Sequence, residues 1–275
     1  MSRLQTKTDA TLPIPSGLLH SVAPFLSFWF TRSIAIIGFI AAWEIVPRLG
    51  LMDTTFLPPF SEVIAKLLEL LVSGDMVANI LASLYRSLAG LTLAVLLSVP
   101  LGLLIGWYGR LGDILSPLLE IFRNTAALAL LPVFILILGL GETSKISMVL
   151  YACVWPILLN TISAVRNVDP LLIKSARSMG LTQTTLFLKV VLPASLPTIF
   201  TGVRLAGASS ILVLIACEMA GAREGLGYLV NFAQFNFQIP TMYAGIIMLS
   251  VVGLTFNYIL LSLERRLTRW KPERA

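Results

Sequence analysis

Residues 169–193, DPLLIKSARSMGLTQTTLFLKVVLP, form a polar island in a chain that is otherwise very apolar. Asp169 followed by Pro170 is typical of a helix N-cap and a first helical position. Gly180 can adopt the left-handed conformation that ends a helix. Thr182 can cap a second short helix, which Pro193 closes. The stretch therefore predicts two short helices joined at Gly180, outside the lipid bilayer.

Each of these predicted helices has an apolar side. The apolar residues that recur at helical spacing are Leu172, Ala176 and Met179 in the first helix and Leu186, Val190 and Val191 in the second. Such a hairpin could dock a partner protein, or it could simply order a surface loop. The spacing of the residues leaves both interpretations open.

The composition on either side of the island indicates a membrane protein. Of the 275 residues, 57% are hydrophobic and only 12% are charged, against about 25% charged residues in soluble domains. A chain with so few charges cannot cover a water-facing surface, so lipid must be its main solvent. The net charge of +6 could suggest nucleic acid, but cytoplasmic loops of membrane proteins collect Lys and Arg, and we expect no nucleic-acid partner.

The apolar runs predict an all-α protein with about six transmembrane helices. The predicted spans are 28–47, 87–109, 125–140, 146–165, 196–220 and 243–263. An amphipathic helix at 56–72 is expected on the membrane surface or against the bundle, and an interfacial segment at 114–123 precedes the third span. Residues 221–241 form a long loop that could partly re-enter the membrane. The domains are an N-terminal tail at 1–27, a transmembrane domain at 28–265 and a basic tail at 266–275.

The basic residues predict the orientation. With six spans, both termini lie on the same side as the 169–193 hairpin, and that side then holds fifteen Lys and Arg residues against five on the other. Cytoplasmic loops carry the excess of Lys and Arg. We therefore expect the hairpin and both termini to lie in the cytoplasm.

The chain lacks the residues of an enzyme. It has no P-loop sequence for ATP, its one histidine, His20, lies in a polar tail, and Cys153 and Cys217 lie inside apolar runs. We expect no catalytic residues, no metal site and no cofactor. Glu218 and Arg204 are the best candidates for charged residues in a transport pathway, although both could instead lie near opposite membrane interfaces with a structural role.

The hairpin resembles the signature loop of ABC importer permeases. That loop runs Glu-Ala-Ala, three residues, Gly, nine residues, Ile, one residue, Leu-Pro. Ala176 matches the second Ala, Gly180 the Gly, Val190 stands for Ile, and Leu192-Pro193 match the end. Lys174 and Ser175 depart from the pattern, since the family usually has Glu and Ala there. The spacing is intact, so the loop is expected to dock with altered polar contacts.

Other segments resemble one branch of these permeases, the branch for nitrate, taurine and aliphatic sulfonates. They are the Phe56-Leu57-Pro58-Pro59 entry to the amphipathic helix, Pro132 with Gly139-Leu140-Gly141-Glu142 and Ser144-Lys145, Glu218-Met219 with Gly225-Leu226-Gly227, and Glu264-Arg265-Arg266-Leu267 with Trp270. The resemblance covers about residues 35–270. The chain departs at 124–127, where relatives often carry prolines.

The resemblance implies a transport subunit of the bacterial inner membrane. Two copies of the chain would form the pathway for a small anionic solute (a sulfonate, taurine, nitrate or similar), and two separate ABC ATPase subunits would hydrolyse ATP. A periplasmic or lipid-anchored binding protein would deliver the solute. The residues expected to couple to the ATPase are Lys174, Ser175, Ala176, Met179, Gly180, Val190, Leu192 and Pro193.

Two other functions compete with this one. A secondary transporter or channel would work alone, but the chain lacks the intramembrane charges of a proton relay. A membrane enzyme would need a catalytic set that the sequence does not contain. Transport by the purified chain without any ATPase separates the stand-alone transporter from the importer subunit.

Overall fold

The computed structural model describes residues 23–268, with side chains from residue 34 onward, and every regular element in this range is helical. The predicted tails at 1–27 and 266–275 lie mostly outside the described residues. The α-helices are α1 Ala23–Arg48, α2 Phe60–Ser73, α3 Asp75–Trp107, α4 Gly109–Asn124, α5 Leu131–Leu138, α6 Glu142–Arg166, α7 Pro170–Ser178, α8 Gln183–Leu186, α9 Leu192–Gly221, α10 Leu226–Phe235 and α11 Ile239–Leu267. The chain divides into two compact units, residues 1–61 and 62–275.

In the first unit, the end of α1 is tied to the segment that leads into α2. The Trp43 indole donates a hydrogen bond to the Pro58 carbonyl at 3.1 Å, and the Ser61 backbone N–H donates to the Glu44 carboxylate at 2.9 Å. Arg48 also pairs with Glu44, one helical turn away. Glu44 therefore joins the end of α1 to Ser61. The amphipathic helix predicted at 56–72 begins only at Phe60, after the two prolines.

The second unit is built around a close seam between α3 and α6. Along α3, every fourth residue of the seam is small and buried, and along α6 every fourth residue is buried as well. The α3 residues are Gly90, Ala94, Ser98, Gly102 and Gly106, and the α6 residues are Val149, Cys153, Ile157, Thr161 and Val165. A Cβ atom on Gly102 would stand 2.6 Å from Cβ of Thr161. Small residues permit such close approach, which drives helix association in lipid.

The long helix α9 packs against both seam helices. Gly202 lies so close to α6 that a Cβ atom there would stand 2.7 Å from Cβ of Asn160. The buried hydroxyls of Ser87 on α3 and Ser210 on α9 share a hydrogen bond of 2.8 Å. The Cys153 thiol donates to the Ala206 carbonyl. Both cysteines are free and buried, as the sequence predicted, and α3, α6 and α9 form one packed core.

The third predicted span is broken. Helix α4 is followed by a 3₁₀ turn at Ala127–Leu130 and then by α5, and the two halves meet at 82°. The sequence predicted an interfacial segment before a span at 125–140. A two-part element is present, but the first part is a helix of 16 residues that starts at Gly109.

Four described helices are long and apolar enough to cross a membrane, or five if the bent pair counts as one span. The four are α3, α6, α9 joined to α8, and α11. Helix α1 covers the first predicted span, with its N-terminal side chains outside the described ones, so the count of six spans stays a prediction. The loop predicted at 221–241 contains α10, because the run Leu226–Phe235 is apolar enough to pack against α9 and α11.

Candidate functional site

The 169–193 hairpin folds as two helices joined at Gly180, as the sequence predicted. The Asp169 carboxylate accepts a hydrogen bond from the Leu171 N–H at 2.8 Å and caps α7. Gly180 has φ +76°. The Leu181 and Gly180 N–H groups donate to the carbonyls of Ala176 and Arg177, which is the Schellman pattern of a helix C-terminus. Thr182 caps α8 through the Thr185 N–H.

The second half of the hairpin does not end at Pro193. Helix α8 passes into a π-helix at Phe187–Val191 and then directly into α9, so that Gln183–Gly221 forms one helical element of 39 residues. The Leu192 N–H donates to the Phe187 carbonyl, five residues back. The wider π turn loosens the helix where the proline ring would otherwise clash with the preceding turn. The sequence prediction that Pro193 closes the second helix is wrong for this reason.

Val191 and Phe187 fix the hairpin to the ends of the core helices. Ala176, Leu186 and Val191 are buried. Val191 packs with Val165 and Val168 at the end of α6, and Phe187 meets Trp107 at the end of α3 edge-to-face, with ring centroids 5.0 Å apart. The hairpin is thus continuous with, and packed against, the same end of three core helices.

The opposite surface of the hairpin is apolar and uncovered by the described chain. Met179 is 72% exposed and Leu171 is 70% exposed, and Leu172 and Leu188 are exposed as well. The sequence placed Leu172, Ala176 and Met179 on one face, but only Ala176 turns inward. The remaining predicted coupling residues divide by exposure: Lys174, Ser175 and Gly180 are exposed, whereas Val190, Leu192 and Pro193 are half-buried.

A charge cluster lies at the opposite end of the core, around Arg86 of α3. This guanidinium is 1% exposed and pairs with Glu218 at the end of α9, 0% exposed, at 2.7 Å. It also binds both oxygens of Glu142, at the first turn of α6, at 2.5 Å and 2.8 Å. Lys145 reaches Glu142 at 3.3 Å. Glu224 lies 3.6 Å from the same guanidinium. Two cations and three carboxylates therefore meet at the junction of α3, α6 and α9.

The same cluster holds the chain between α9 and α10. The Glu218 carboxylate accepts hydrogen bonds from the Ser83 hydroxyl and the Gly227 N–H, each at 2.9 Å. Ser83 in turn accepts from the Leu226 N–H, and Asn79 accepts from the Gly225 N–H. Every one of these backbone donors is satisfied by a side chain of α3 or α9. Glu218 therefore anchors the α10 entry, in addition to neutralising Arg86.

The structure separates Glu218 from Arg204, the other candidate for a charged pathway residue. Arg204 on α9 forms an ion pair with Glu264 of α11 at 3.0 Å, and the Thr201 hydroxyl donates to the same carboxylate at 3.0 Å. Glu218 lies 14 residues further along α9, with Arg86. Sequence reasoning placed Arg86 at the start of a span and missed its pairing, since partners 132 residues apart leave no local signal.

A cavity of about 660 Å³ opens beside this charge cluster, lined by residues that include Arg86, Glu142, Lys145 and Glu224. Among the described residues, no group of three or more His, Cys, Asp or Glu side chains could hold a metal ion. The cluster supports the loop at 221–227 through its hydrogen bonds to Gly225, Leu226 and Gly227.

Comparison with known proteins identifies a family. Residues 98–269 match the family described as "Binding-protein-dependent transport system inner membrane component". A probable ABC transporter permease of Brucella abortus is 35% identical over 86% of this chain and 93% of its own length. A putative aliphatic sulfonates transport permease of Bacillus subtilis is 35% identical over 84% of each chain. The taurine transport system permease of Escherichia coli is 32% identical over 90% of this chain and 92% of its own.

The fold has a counterpart among solved structures. The methionine ABC transporter MetNI in an inward-facing conformation matches 72% of this chain and 98% of its own chain, with a TM-score of 0.62 and 18% sequence identity. At this identity the likeness concerns the fold alone, which is that of an ABC importer permease.

Proposed function

Because this chain belongs to the family of binding-protein-dependent transport system inner membrane components, we propose that it is the pathway-forming subunit of an ATP-driven importer, coupled to separate ATPase subunits through residues 169–193. The chain itself is a transport subunit of the ABC permease type. Two copies form the pathway, two ATPase subunits bind beneath them, and a periplasmic or lipid-anchored binding protein delivers the solute.

The observation that carries this proposal is the uncovered apolar surface of the hairpin. Leu171, Leu172, Met179 and Leu188 are exposed on an element that is otherwise fixed firmly to the core. A lipid-facing role does not suit the hairpin, because Lys174, Arg177 and Lys189 are exposed on the same element. Apolar residues rimmed by charges are typical of a protein-binding surface.

The connection of the hairpin to the core supports transmission of movement. Helix α7 begins four residues after the end of α6, and α8 continues into α9 without a break. A force applied to the hairpin therefore acts on two core helices at once. ATP-driven closure of the ATPase subunits would shift the pathway between inward- and outward-facing states, a two-state transition that both sides can bias.

We propose a small oxyanion as the solute, namely a sulfonate, taurine, nitrate or a similar species. Relatives that share about a third of their residues with this chain bear the names of aliphatic sulfonate and taurine transport systems. We also propose that the chain lies in the bacterial inner membrane with both termini and the hairpin in the cytoplasm, an orientation that the excess of basic residues supports.

Reconstitution into liposomes tests the coupled function. The purified chain is inserted alone, with its cognate ATPase, or with an ATPase variant that binds but does not hydrolyse ATP, and uptake of labelled solutes from the binding protein is measured. Uptake is expected only with the active ATPase and ATP. Uptake by the chain alone would identify a stand-alone transporter or channel and would overturn the proposal.

A further inference from the structure

Helix α10 ends with a phenylalanine in the left-handed backbone conformation. Phe237 has φ +55° and is the only residue other than glycine with a positive φ in the described part of the chain. The Gln238 N–H donates to the Ala233 carbonyl, and the Phe237 N–H donates to the Gln234 carbonyl. This is the Schellman pattern, and it places Phe237 at the position that glycine, or sometimes asparagine, normally occupies.

The hairpin contains the same motif with the usual residue. At the end of α7, Gly180 has φ +76°, and its N–H and that of Leu181 make the two equivalent hydrogen bonds. The motif does not require a side chain at this position. An L-residue in the left-handed conformation holds its Cβ atom too close to the following carbonyl oxygen. Phe237 therefore makes the end of α10 less stable than a glycine would.

No contact within the chain compensates for this strain. The Phe237 side chain is 76% exposed, and its ring contacts no other ring among the side chains that the structure describes. Phe232, one turn before the end of α10, does have such a contact, with Tyr228 at a centroid distance of 5.6 Å. Strained backbone positions are concentrated at functional sites. The contact that favours a phenyl ring at position 237 is therefore to be sought in a partner molecule.

Phe237 lies in the half of the molecule away from the hairpin. Glu218 is 26 residues beyond Leu192 on α9, which is about 39 Å along the helix. The Gly227 N–H donates to Glu218 at 2.9 Å, so α10 begins beside the charge cluster. Helix α10 has only ten residues and is about 15 Å long. With the hairpin in the cytoplasm, as proposed above, Phe237 is on the external side.

A polar cavity of about 550 Å³ opens next to this turn. It is lined by residues that directly follow Phe237 and by one side of α2, namely Gln238, Pro240 and Thr241 with Glu62, Ala65, Lys66 and Glu69. Lys66 pairs with Glu69 at 2.7 Å, whereas Glu62 has no ion pair among the described residues. Two carboxylates and one ammonium give the cavity a net charge of −1. The cavity therefore suits a basic side chain.

An exposed aromatic side chain beside a charged cavity is typical of a protein-binding surface. Aromatic residues carry much of the binding energy in such surfaces, and charged residues form the rim. The Schellman turn holds Phe237 in one backbone conformation, which lowers the entropy lost on binding. A lipid surface does not require this strain, because Phe235 is 75% exposed within the same helix end.

We propose that Phe237 is the anchor residue of a docking surface for the solute-binding protein, and that the adjacent cavity at Glu62 receives a basic side chain of that protein. The assignment rests on the proposed function, in which a binding protein delivers the solute from the side opposite the hairpin. It adds the chemistry of the partner, which presents an apolar pocket for the phenyl ring next to a cation.

Substitutions at position 237 separate the ring from the strain. The full chain is assembled with its ATPase subunits in lipid nanodiscs, and the affinity for the cognate binding protein and the melting temperature are both measured. Phe237→Gly is expected to weaken binding by about tenfold, as the loss of an aromatic anchor does. It is expected to raise the melting temperature by about 2–4 °C, because the strain is removed. A variant that is more stable and binds less cannot be explained by misfolding.

Three further variants serve as controls for the ring. Phe237→Tyr keeps the ring and the strain and should keep most of the affinity. Phe237→Asn tolerates the left-handed conformation but lacks the ring, so it should bind as weakly as Phe237→Gly. Tyr258→Ala removes an aromatic side chain of α11 that is 71% exposed and should leave the affinity unchanged. For the cavity, Glu62→Gln should slow association and reduce its dependence on salt.

Unchanged affinity in Phe237→Gly would overturn the docking surface, and so would a lower melting temperature, which would show that the ring packs within the chain. Two readouts would then identify the true contact. Quenching of Phe237→Trp by brominated acyl chains, beyond that of the unsubstituted chain, would identify lipid. Loss of the second copy from the nanodiscs in Phe237→Gly would identify contact between copies.

The unsubstituted complex separates this inference from the proposed function. If it neither binds the binding protein nor takes up solute with ATP, the importer function is rejected, and the docking surface with it. If it does both and Phe237→Gly behaves identically, only the docking surface is rejected.

Discussion

Two of the three carboxylates that pair with Arg86, Glu218 and Glu142, differ in their access to water. Glu218 is 0% exposed and Glu142 is 50% exposed. A buried charge that loses its only partner destabilises a protein by about 3–5 kcal/mol, and Arg86 without Glu218 would keep only partners that are half-exposed or more, Glu142 and Glu224, so the effect should lie below that range. Half-exposed groups are compensated by solvent and contribute less. The stability of the core should therefore depend much more on Glu218 than on Glu142.

We predict that Glu218→Gln lowers the melting temperature of the detergent-solubilised chain clearly more than Glu142→Gln does. The two variants remove the same charge from the same guanidinium, so each is the control for the other. The melting temperatures of both variants are measured by heating the detergent-solubilised protein and monitoring the loss of monodisperse protein. Equal shifts in melting temperature would mean that the buried Glu218 contributes no more to stability than the half-exposed Glu142 does.

Gly180 has φ +76°, with open space where a side chain would be placed. Its role is thus one of backbone conformation, since a Cβ atom would meet no neighbour. The left-handed conformation destabilises most L-residues by about 1–2 kcal/mol, whereas Asn tolerates it.

We predict that Gly180→Ala leaves the protein in the membrane but lowers the amount of solute taken up per ATP hydrolysed, because Ala strains the left-handed turn. Gly180→Asp should lower it as well, through its negative charge at the C-terminal end of α7. Gly180→Asn should keep most of the coupling because the turn survives. Uptake and ATP hydrolysis are measured together in proteoliposomes. Normal coupling in the Asp variant would count heavily against a coupling role for the hairpin.

Local signals in the sequence identified Asp169, Gly180 and Thr182 correctly, because caps and left-handed turns depend on residues a few positions apart. The same reasoning proposed Glu218 and Arg204 as candidate pathway charges, with a structural role near opposite interfaces as the alternative. The structure gives each a different partner, Arg86 and Glu264. Pairing of distant charges depends on how the helices pack, and a single sequence contains no measure of that.

At the scale of helices, the close contact between α3 and α6 depends on glycines of α3, which have no side chain to separate the two backbones. A valine in place of Gly102 would overlap Thr161, whose Cβ atom lies 2.6 Å from the position of the new Cβ. Gly253 of α11 offers a matched control, because a Cβ there meets nothing within 4 Å. Both are glycines in long helices, so their effects on helix propensity are similar.

We predict that Gly102→Val destabilises the chain by about 1–3 kcal/mol, the usual effect of overpacking a tight core, and that Gly253→Val has little effect. Thermal unfolding in detergent and yield from membranes measure the difference. If both variants unfolded at the wild-type temperature, the close approach of α3 and α6 would not contribute to stability.

Helix prediction succeeded where apolar runs are long and failed where they are short. The spans of α6, α9 and α11 were located within a few residues, whereas α3 begins 12 residues before the predicted start at 87, since its first turns are amphipathic. Helix α10 was assigned to a loop because its ten residues are too few to cross a membrane. Tertiary packing on α9 and α11 makes this short run helical.

The whole molecule has two chemically different ends. The hairpin end exposes Lys174, Arg177 and Lys189, and the other end holds the charge cluster around Arg86. The sequence predicted this polarity from its basic residues. Which end faces the cytoplasm stays a prediction.

Thiol labelling from each side of the membrane tests that orientation. Ser178→Cys in the hairpin and Arg223→Cys at the opposite end are both exposed positions. A membrane-impermeant maleimide should label Ser178→Cys only in inside-out vesicles and Arg223→Cys only in right-side-out vesicles. Labelling in the reverse pattern would invert the topology and exclude an ATPase bound at the hairpin from the cytoplasm.

The continuous helix from Gln183 to Gly221 also fixes how far the hairpin is rotated about the helix axis relative to Glu218. Each residue added to an α-helix turns everything beyond it by about 100°, so a single insertion between the hairpin and Glu218 would rotate one relative to the other by more than a quarter turn. The π turn at Phe187–Val191 is the one place in this helix where a residue can be gained or lost without that rotation. The number of residues in this helix is therefore constrained. Outside the π turn, insertions or deletions should be tolerated only when their length is close to a whole number of helical turns.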